Sequence, residues 1–387
     1  MKFICNKNRL HDAITNVSKA VATKSNIAAL EGMKLKLTEN NLELTGFDLE
    51  LGIRTNLEVN SESSGELVIN SRLFSEIIRK MSSDEVTVTI DEKLNVNITG
   101  NDTTYDISAM PPDEYPAFPV IDNEKYFEIP QYILKNMIEH TNHAVSINDS
   151  KPILTGELFD IYDNIFRMVA IDGFRLAVRT EPAPGAEETS FVVPSKTLNE
   201  ISKLLAKGDM AKSSSDDSGQ EQNDAKTTSD ETCKIYTSAK NIIFEISGYI
   251  VVSRLLEGEF LNYTTAIPLS GTTIARVDTK TFIKSIERTS LIITDKFKSP
   301  LRCIFDTDSI KISSVTSVGT ANDKIPAKID GGRVEIGFNN RYIFDALKNC
   351  NVDEVRIELN GPTSPIVILP PENDNFLYLV LPMRLKA

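Results

Sequence analysis

Tryptophan is absent from the 387-residue chain, histidine occurs only three times and cysteine four times. Cys5, Cys233, Cys303 and Cys350 stand far apart with no CxxC pair, which argues against a disulfide framework or a zinc knuckle and leaves four plain buried thiols as the expectation. His140 and His143 fall at i, i+3 on a predicted helix, where two metal ligands could converge. No third ligand accompanies them at a recognisable spacing, so solvated or capping histidines are expected. A metal-using enzyme is the rival reading, and bound-metal analysis discriminates it. There is no GxxxxGK[ST] loop, no GxGxxG opening a helix and no GxSxG elbow. No apolar run is long enough to span a bilayer, and Met1-Lys2-Phe3 is followed by no apolar signal region. The expectation is a cytoplasmic protein with no catalytic residues, no metal and no cofactor.

Apolar residues make up 41% of the chain and charged residues 25%, a balance typical of folded globular domains. The length is too great for one ordinary core. Three segments read as a short strand followed by an amphipathic helix: Phe3 to Val21, Phe127 to Val145 and Ile274 to Ile293. Leu10, Ala13, Ile14 and Val17 keep helical spacing in the first; Ile133, Leu134, Met137 and Ile138 in the second; Phe282, Ile283 and Ile286 in the third. A second helix recurs as SRLFSEIIRKM from Ser71, PSKTLNEISKLL from Pro194 and NNRYIFDALKN from Asn339, each opening on Ser or Asn placed to cap it.

Alternating strands fill the intervals, among them Lys34 to Leu37, Leu42 to Leu44 and Ile310 to Ile312. After the second helix come Val86 to Ile90 with Val96 to Ile98, Ile235 and Tyr236 with Ile242 to Phe244, and Val355 to Ile357 with Ile366 to Ile368. A recurrence of about 120 to 150 residues is domain-sized. The pattern predicts an α+β chain of three similar domains, at 1–121, 127–268 and 271–387, each with two helices packed on antiparallel sheets. The polar, acidic stretch Lys207 to Thr232 has little to bury and reads as a mobile insertion after the second helix of the middle domain.

Despite a formal net charge of -13, cations recur on the predicted helices. They are Lys7, Arg9, Lys19 and Lys24, then Arg72, Arg79 and Lys80, then Lys196, Lys203 and Lys207, then Lys280, Lys284, Arg288, Arg341 and Lys348. Any one of them is an ordinary solvated side chain. Repeated in all three domains, on helices that share one face they would build a positive surface for phosphates that reads no base, and salt limits the reach of the acidic remainder to about 10 Å. Aromatics for stacking on single strands are sparse there, which favours a duplex. Two other stretches stand out. The apolar run RMVAIDGFRLAV, Arg167 to Val178, breaks at Ile171-Asp172-Gly173. Near the end, Leu381, Met383 and Leu385 flank Pro382, which stops ladder pairing and leaves a partly exposed apolar patch.

The triplication, VAIDGFRLAV, LEGEFLNYTTAIP from Leu256 and the terminal LVLPMRL together resemble the bacterial sliding clamp family, the DNA polymerase III beta subunits, over essentially the whole chain. The resemblance implies a head-to-tail homodimeric ring with helices lining the hole and sheets outside, a processivity factor encircling double-stranded DNA without sequence specificity. Its implied partners are the replicative polymerase catalytic subunit, the clamp loader, and other polymerases and repair proteins with clamp-binding peptides; no membrane is implied.

It implies DNA contact at Lys24, Asn148 and Lys196, with Arg72 and Lys203 added from the helix cations. The peptide pocket would use Leu154, Ile171, Gly173, Phe174, Arg175, Leu176, Leu261, Thr265 and Ala266, completed by Tyr342, Thr363, Leu379, Leu381, Pro382, Met383, Arg384 and Leu385. The seam between copies would pair Tyr105 and Ile107 with Leu291 and Ile292. Phe174 stands where a histidine is common in the family, Leu261 where a proline is common and Thr265 where an arginine can occur, which implies a more apolar pocket. A peptide-binding scaffold that never meets DNA is the other reading, and retention on circular DNA separates the two.

Overall fold

The computed structural model describes residues 1–120, 126–148, 150–205, 231–294 and 299–385. The expected insertion, apart from its last two residues, and most of the expected break at Ile121 to Tyr126 lie outside the described residues.

The described residues hold six α-helices: α1 Lys7–Val17, α2 Ser71–Lys80, α3 Gln131–Thr141, α4 Ser195–Leu204, α5 Thr279–Ser290 and α6 Asn340–Lys348. They fall in three pairs, one per predicted repeat. The first helix of each pair follows a short strand, at Lys2–Asn6, Phe127–Pro130 and Thr273–Asp278. Asn6, Asp278 and Asn339 cap α1, α5 and α6 through side-chain oxygens that accept first-turn amides. Ser71 does not cap α2. Asn70 does, accepting from Leu73 N at 2.9 Å, while Ser71 is buried in the first turn and shares a 2.7 Å hydrogen bond with Ser18. The middle repeat repeats this tie between its helices, with Ser195 Oγ donating to Asn142 Oδ1.

The chain gathers into two compact units, Met1–Lys135 with Glu200–Leu255, and Asn136–Asn199 with Leu256–Ala387. In the first, a five-stranded sheet ends on the open edge Thr103–Ser108. The same unit has an eight-stranded sheet, in which Tyr249–Arg254 pairs antiparallel with Leu51–Glu58. In the second unit a nine-stranded sheet runs Thr189–Pro194, Gly156–Tyr162, Ile165–Ile171, Arg175–Pro182, Phe376–Val380, Ile366–Leu369, Glu354–Leu359, Thr273–Asp278, Lys328–Asp330. A four-stranded sheet beside it has the edge Thr320–Pro326. Each large sheet is thus assembled by two repeats, and the middle repeat gives four strands to each.

The helices bury the stripe their spacing predicts, Leu10, Ala13, Ile14 and Val17 in α1 and Phe282 and Ile286 in α5. In the second unit α5 and α6 close a core with Phe305, Phe338, Ile357 and Tyr378. Cys5, Cys233, Cys303 and Cys350 are buried and free.

The histidines differ from expectation. His140 is buried, not solvated, with Nδ1 hydrogen-bonded to the Tyr378 hydroxyl, which in turn donates to Asn349 O at 3.0 Å. His143 stands edge-on to the same ring at 5.0 Å. Burial pushes both imidazoles down to about 3, with Arg179 near the first and Arg175 near the second adding to it. Their i, i+3 spacing serves an aromatic cluster, and no group of three His, Cys, Asp or Glu suited to a metal occurs among the described residues.

Candidate peptide pocket and cationic helix surface

The break in the Arg167 to Val178 run is a turn whose geometry follows from its residues. Asp172 Oδ1 accepts from the amides of Phe174 (2.8 Å) and Arg175 (3.0 Å), and Gly173 takes φ +91°, which side chains strongly disfavour. Arg175 then faces back: its Nε donates to Asp172 Oδ2 at 3.0 Å and its Nη1 to Asp345 Oδ2 on α6 at 2.7 Å. Its guanidinium lies 4.5 Å from the centre of the Tyr342 ring, a cation–π contact. Arg175 thus joins the turn to α6, and its charge is balanced from within. Phe174 is 60% exposed and stacks on Tyr342 with ring centres 6.3 Å apart.

The terminal segment docks against this turn. Strand Phe376–Val380 pairs with Arg175–Pro182, bringing Leu176 opposite Leu379 and Arg175 opposite Val380. Leu381 N then donates to Phe174 O at 2.9 Å, Pro382 has no amide to give, and Met383 N donates to Gly337 O at 2.8 Å. Leu381 and Met383 are each left 38% exposed. Gly337 permits this approach, because a Cβ there would lie 2.7 Å from Met383 O and 2.8 Å from Leu385 Cδ2.

Leu176 and Leu379 are buried beneath that surface among Leu158, Val169, Val178, Val192 and Tyr263, with Ile171 packed alongside. Ile153, rather than its buried neighbour Leu154, packs against this cluster. Leu261, Thr265 and Ala266 are exposed on the loop that carries Tyr263, and Thr265 Oγ1 donates to Asn262 O at 3.0 Å. Thr363 and Arg384 are exposed. Further along the same sheet, a cavity of about 640 Å³ is lined by Asp160, Arg167, Ser190 and Tyr263. The Tyr263 hydroxyl donates to Asp160 Oδ2 at 3.1 Å, and burial, reinforced by that carboxylate, pushes it up to about 12.

Sequence reasoning left Asp172, Asp345 and Gly337 out of the site. Asp172 carried a signal in the Asp-Gly break, and Gly337 as a glycine inside the strand Val334–Phe338; Asp345 carried none.

Of the expected DNA contacts, Lys24, Arg72 and Lys203 lie in the first unit and Asn148 and Lys196 in the second, all exposed. Lys203 Nζ donates to Glu200 Oε1 at 2.8 Å, and Asn148 Oδ1 accepts from Ser150 N at 3.0 Å. On α2 the buried stripe Phe74, Ile77 and Ile78 leaves Arg72, Arg79 and Lys80 on the outer face.

A threefold repeat of paired helices on shared antiparallel sheets, with an apolar terminal segment latched across a turn, defines the DNA-clamp class. Models of the DNA polymerase III beta subunit match in order along the chain: the N-terminal domain at residues 1–119, the central domain at 128–214 and the C-terminal domain at 264–384. The beta sliding clamp of Halalkalibacterium halodurans is 30% identical over 403 residues, covering 99% of this chain and 100% of its own. That of Staphylococcus epidermidis is 28% identical, covering 99% of each chain. The crystal structure of the DNA polymerase sliding clamp from Bacillus subtilis superposes with a TM-score of 0.90 at 28% identity, with 100% of both chains covered. The chain belongs to the DNA polymerase III beta subunit family, the beta sliding clamps.

Proposed function

We propose that this protein is the non-catalytic processivity clamp of a DNA polymerase. Clamp domains at 1–121, 127–268 and 271–387 from two copies close head to tail around duplex DNA in the cytoplasm. The observation that carries this reading is the family match along the full length of the chain and of its relatives. Two open sheet edges support ring closure: Thr103–Ser108 with Tyr105 and Ile107 half-buried, and Thr320–Pro326, which packs against α5, with Leu291 at the end of that helix 81% exposed. Unpaired edges call for a partner, and a heterologous contact repeated twice closes a dimer.

The cations at Lys24, Arg72, Lys196 and Lys203, with Asn148, would meet phosphates without reading bases, as sliding requires. A ring holds DNA by topology, so it tolerates a net charge of -13. Leu381 and Met383, beside Phe174 and Tyr342, would receive an apolar peptide from the replicative polymerase subunit, the clamp loader or other polymerases and repair proteins. Loaded onto nicked circular DNA, the protein should be retained and then lost when the circle is cut. Equal retention on linear and circular DNA would overturn the clamp reading and favour a scaffold that does not encircle DNA.

A further inference from the structure

One carboxylate is set among the cations of the first unit. Glu200 on α4 accepts from Lys203 Nζ through Oε1 at 2.8 Å. Its Oε2 lies 3.9 Å from Lys19 Nζ, and although buried it receives no hydrogen bond. Lys19 is held from its other side: its ammonium donates to Asn16 Oδ1 at 3.1 Å, and the Asn16 amide donates to the Tyr249 hydroxyl at 2.9 Å. The three side chains differ in exposure, 23% for Lys19, 18% for Glu200 and 57% for Lys203. Lys203 is thus free to swing toward solvent, while Lys19 and Glu200 form a partly sheltered pair behind it. Burial, and then Lys203, bias Lys19 toward losing its proton, and Glu200 opposes them. The α4 side chains that build the core are Leu198 and Ile201, so the carboxylate is not needed for packing.

We infer that Glu200 is a positioning residue that competes with DNA phosphate for Lys19 and Lys203. With the carboxylate in place, a lysine that reaches a phosphate must give up an anion it already has. One anionic partner is exchanged for another, so the net attraction is small and each contact is brief. Without the carboxylate neither ammonium group would have an anion to give up for a phosphate, and the surface would grip rather than slide. The role rests on the DNA-facing reading of these helices given above.

The test is binding of a fluorescein-labelled linear duplex to the full-length protein, by anisotropy across a salt series. Glu200→Gln should bind several-fold more tightly at low salt. It should also show a steeper dependence of log K on log salt, by up to about 0.9 for each lysine released to a phosphate. Glu200→Ala should do the same, which excludes an effect of the new amide, and an unchanged thermal midpoint checks the fold of both. Unchanged or weaker binding by both variants overturns the role. Lys19→Gln and Lys203→Gln in the same assay separate the causes of failure. If they weaken binding while the Glu200 variants do not tighten it, the DNA-facing surface stands and the competition falls. If the lysine variants are silent too, the DNA-facing reading of these helices fails, and the role of Glu200 falls with it.

Discussion

Met383 reaches the surface because the residues around it spend their hydrogen bonds inward: its own amide goes to Gly337 O, and that of Leu381 to Phe174 O. Truncating a central apolar anchor of this kind typically costs about 2 kcal/mol, or roughly thirty-fold in affinity. Met383→Ala should therefore weaken a polymerase-derived peptide by that order in a titration, with secondary structure intact by circular dichroism. Affinity within two-fold of the parent would show the pocket to be elsewhere.

A second residue-scale prediction concerns Glu157, buried with Oε1 unpartnered and Thr141 Oγ1 shared between its carboxyl and the Met137 carbonyl. Burial raises it to about 8 from the ordinary 4.5. The folded state therefore holds a proton that the unfolded chain releases earlier. The resulting stability is complete below the ordinary value and is lost as pH rises through about 8. Thermal midpoints of the parent should fall between pH 5 and 9, and Glu157→Gln should flatten that fall. A parent curve no steeper than the variant's would show that Glu157 ionises normally. At this scale the sequence revealed the turn, because Asp-Gly after an apolar run has few other uses. It did not reveal that Arg175 is held by Asp345, 170 positions away on a helix whose signals were its opening Asn and its recurrence.

Among elements, the helices and most strands were legible because their apolar residues keep a period of 3.6 or 2. Cap positions were less so: Asn70 and Ser71 are both good capping residues, and the choice was made by the packing of Ser71 against Ser18. His140 and His143 read as solvated or capping, since no local pattern shows that Tyr378 arrives over α3 and the turn after it. Gly337 lets one element lie upon another. In Gly337→Val the added side chain meets Met383 O and Leu385, so the terminal segment must lift. Peptide affinity should fall at least as far as in Met383→Ala, although residue 337 reaches no surface apolar anchor itself. Parental affinity in that variant would mean that the latch between Met383 and Gly337 is not needed for binding.

For the whole molecule, Ile107→Asp or Leu291→Asp should place a desolvated charge in the proposed seam between copies. Such a charge is strongly unfavourable, and sedimentation at micromolar concentration should shift from dimer to monomer. A persistent dimer in both variants would place the seam at other edges. Triplication was readable because the same strand-helix register returned three times. The division of the middle repeat between two sheets was not, because hydrophobic alternation shows that a strand has a buried face and says nothing of which strand lies beside it.

The pairing of Arg175–Pro182 with Phe376–Val380 joins the middle and last repeats through backbone hydrogen bonds in one continuous sheet. A chain that ends before the last repeat would leave the Arg175–Pro182 edge unmatched on one side, a template for another truncated copy. Molecules truncated before the last repeat should therefore leave solution as aggregates instead of lingering as soluble pieces. The strand pair beside Leu381 and Met383 would thus tie the solubility of the middle repeat to the arrival of the last.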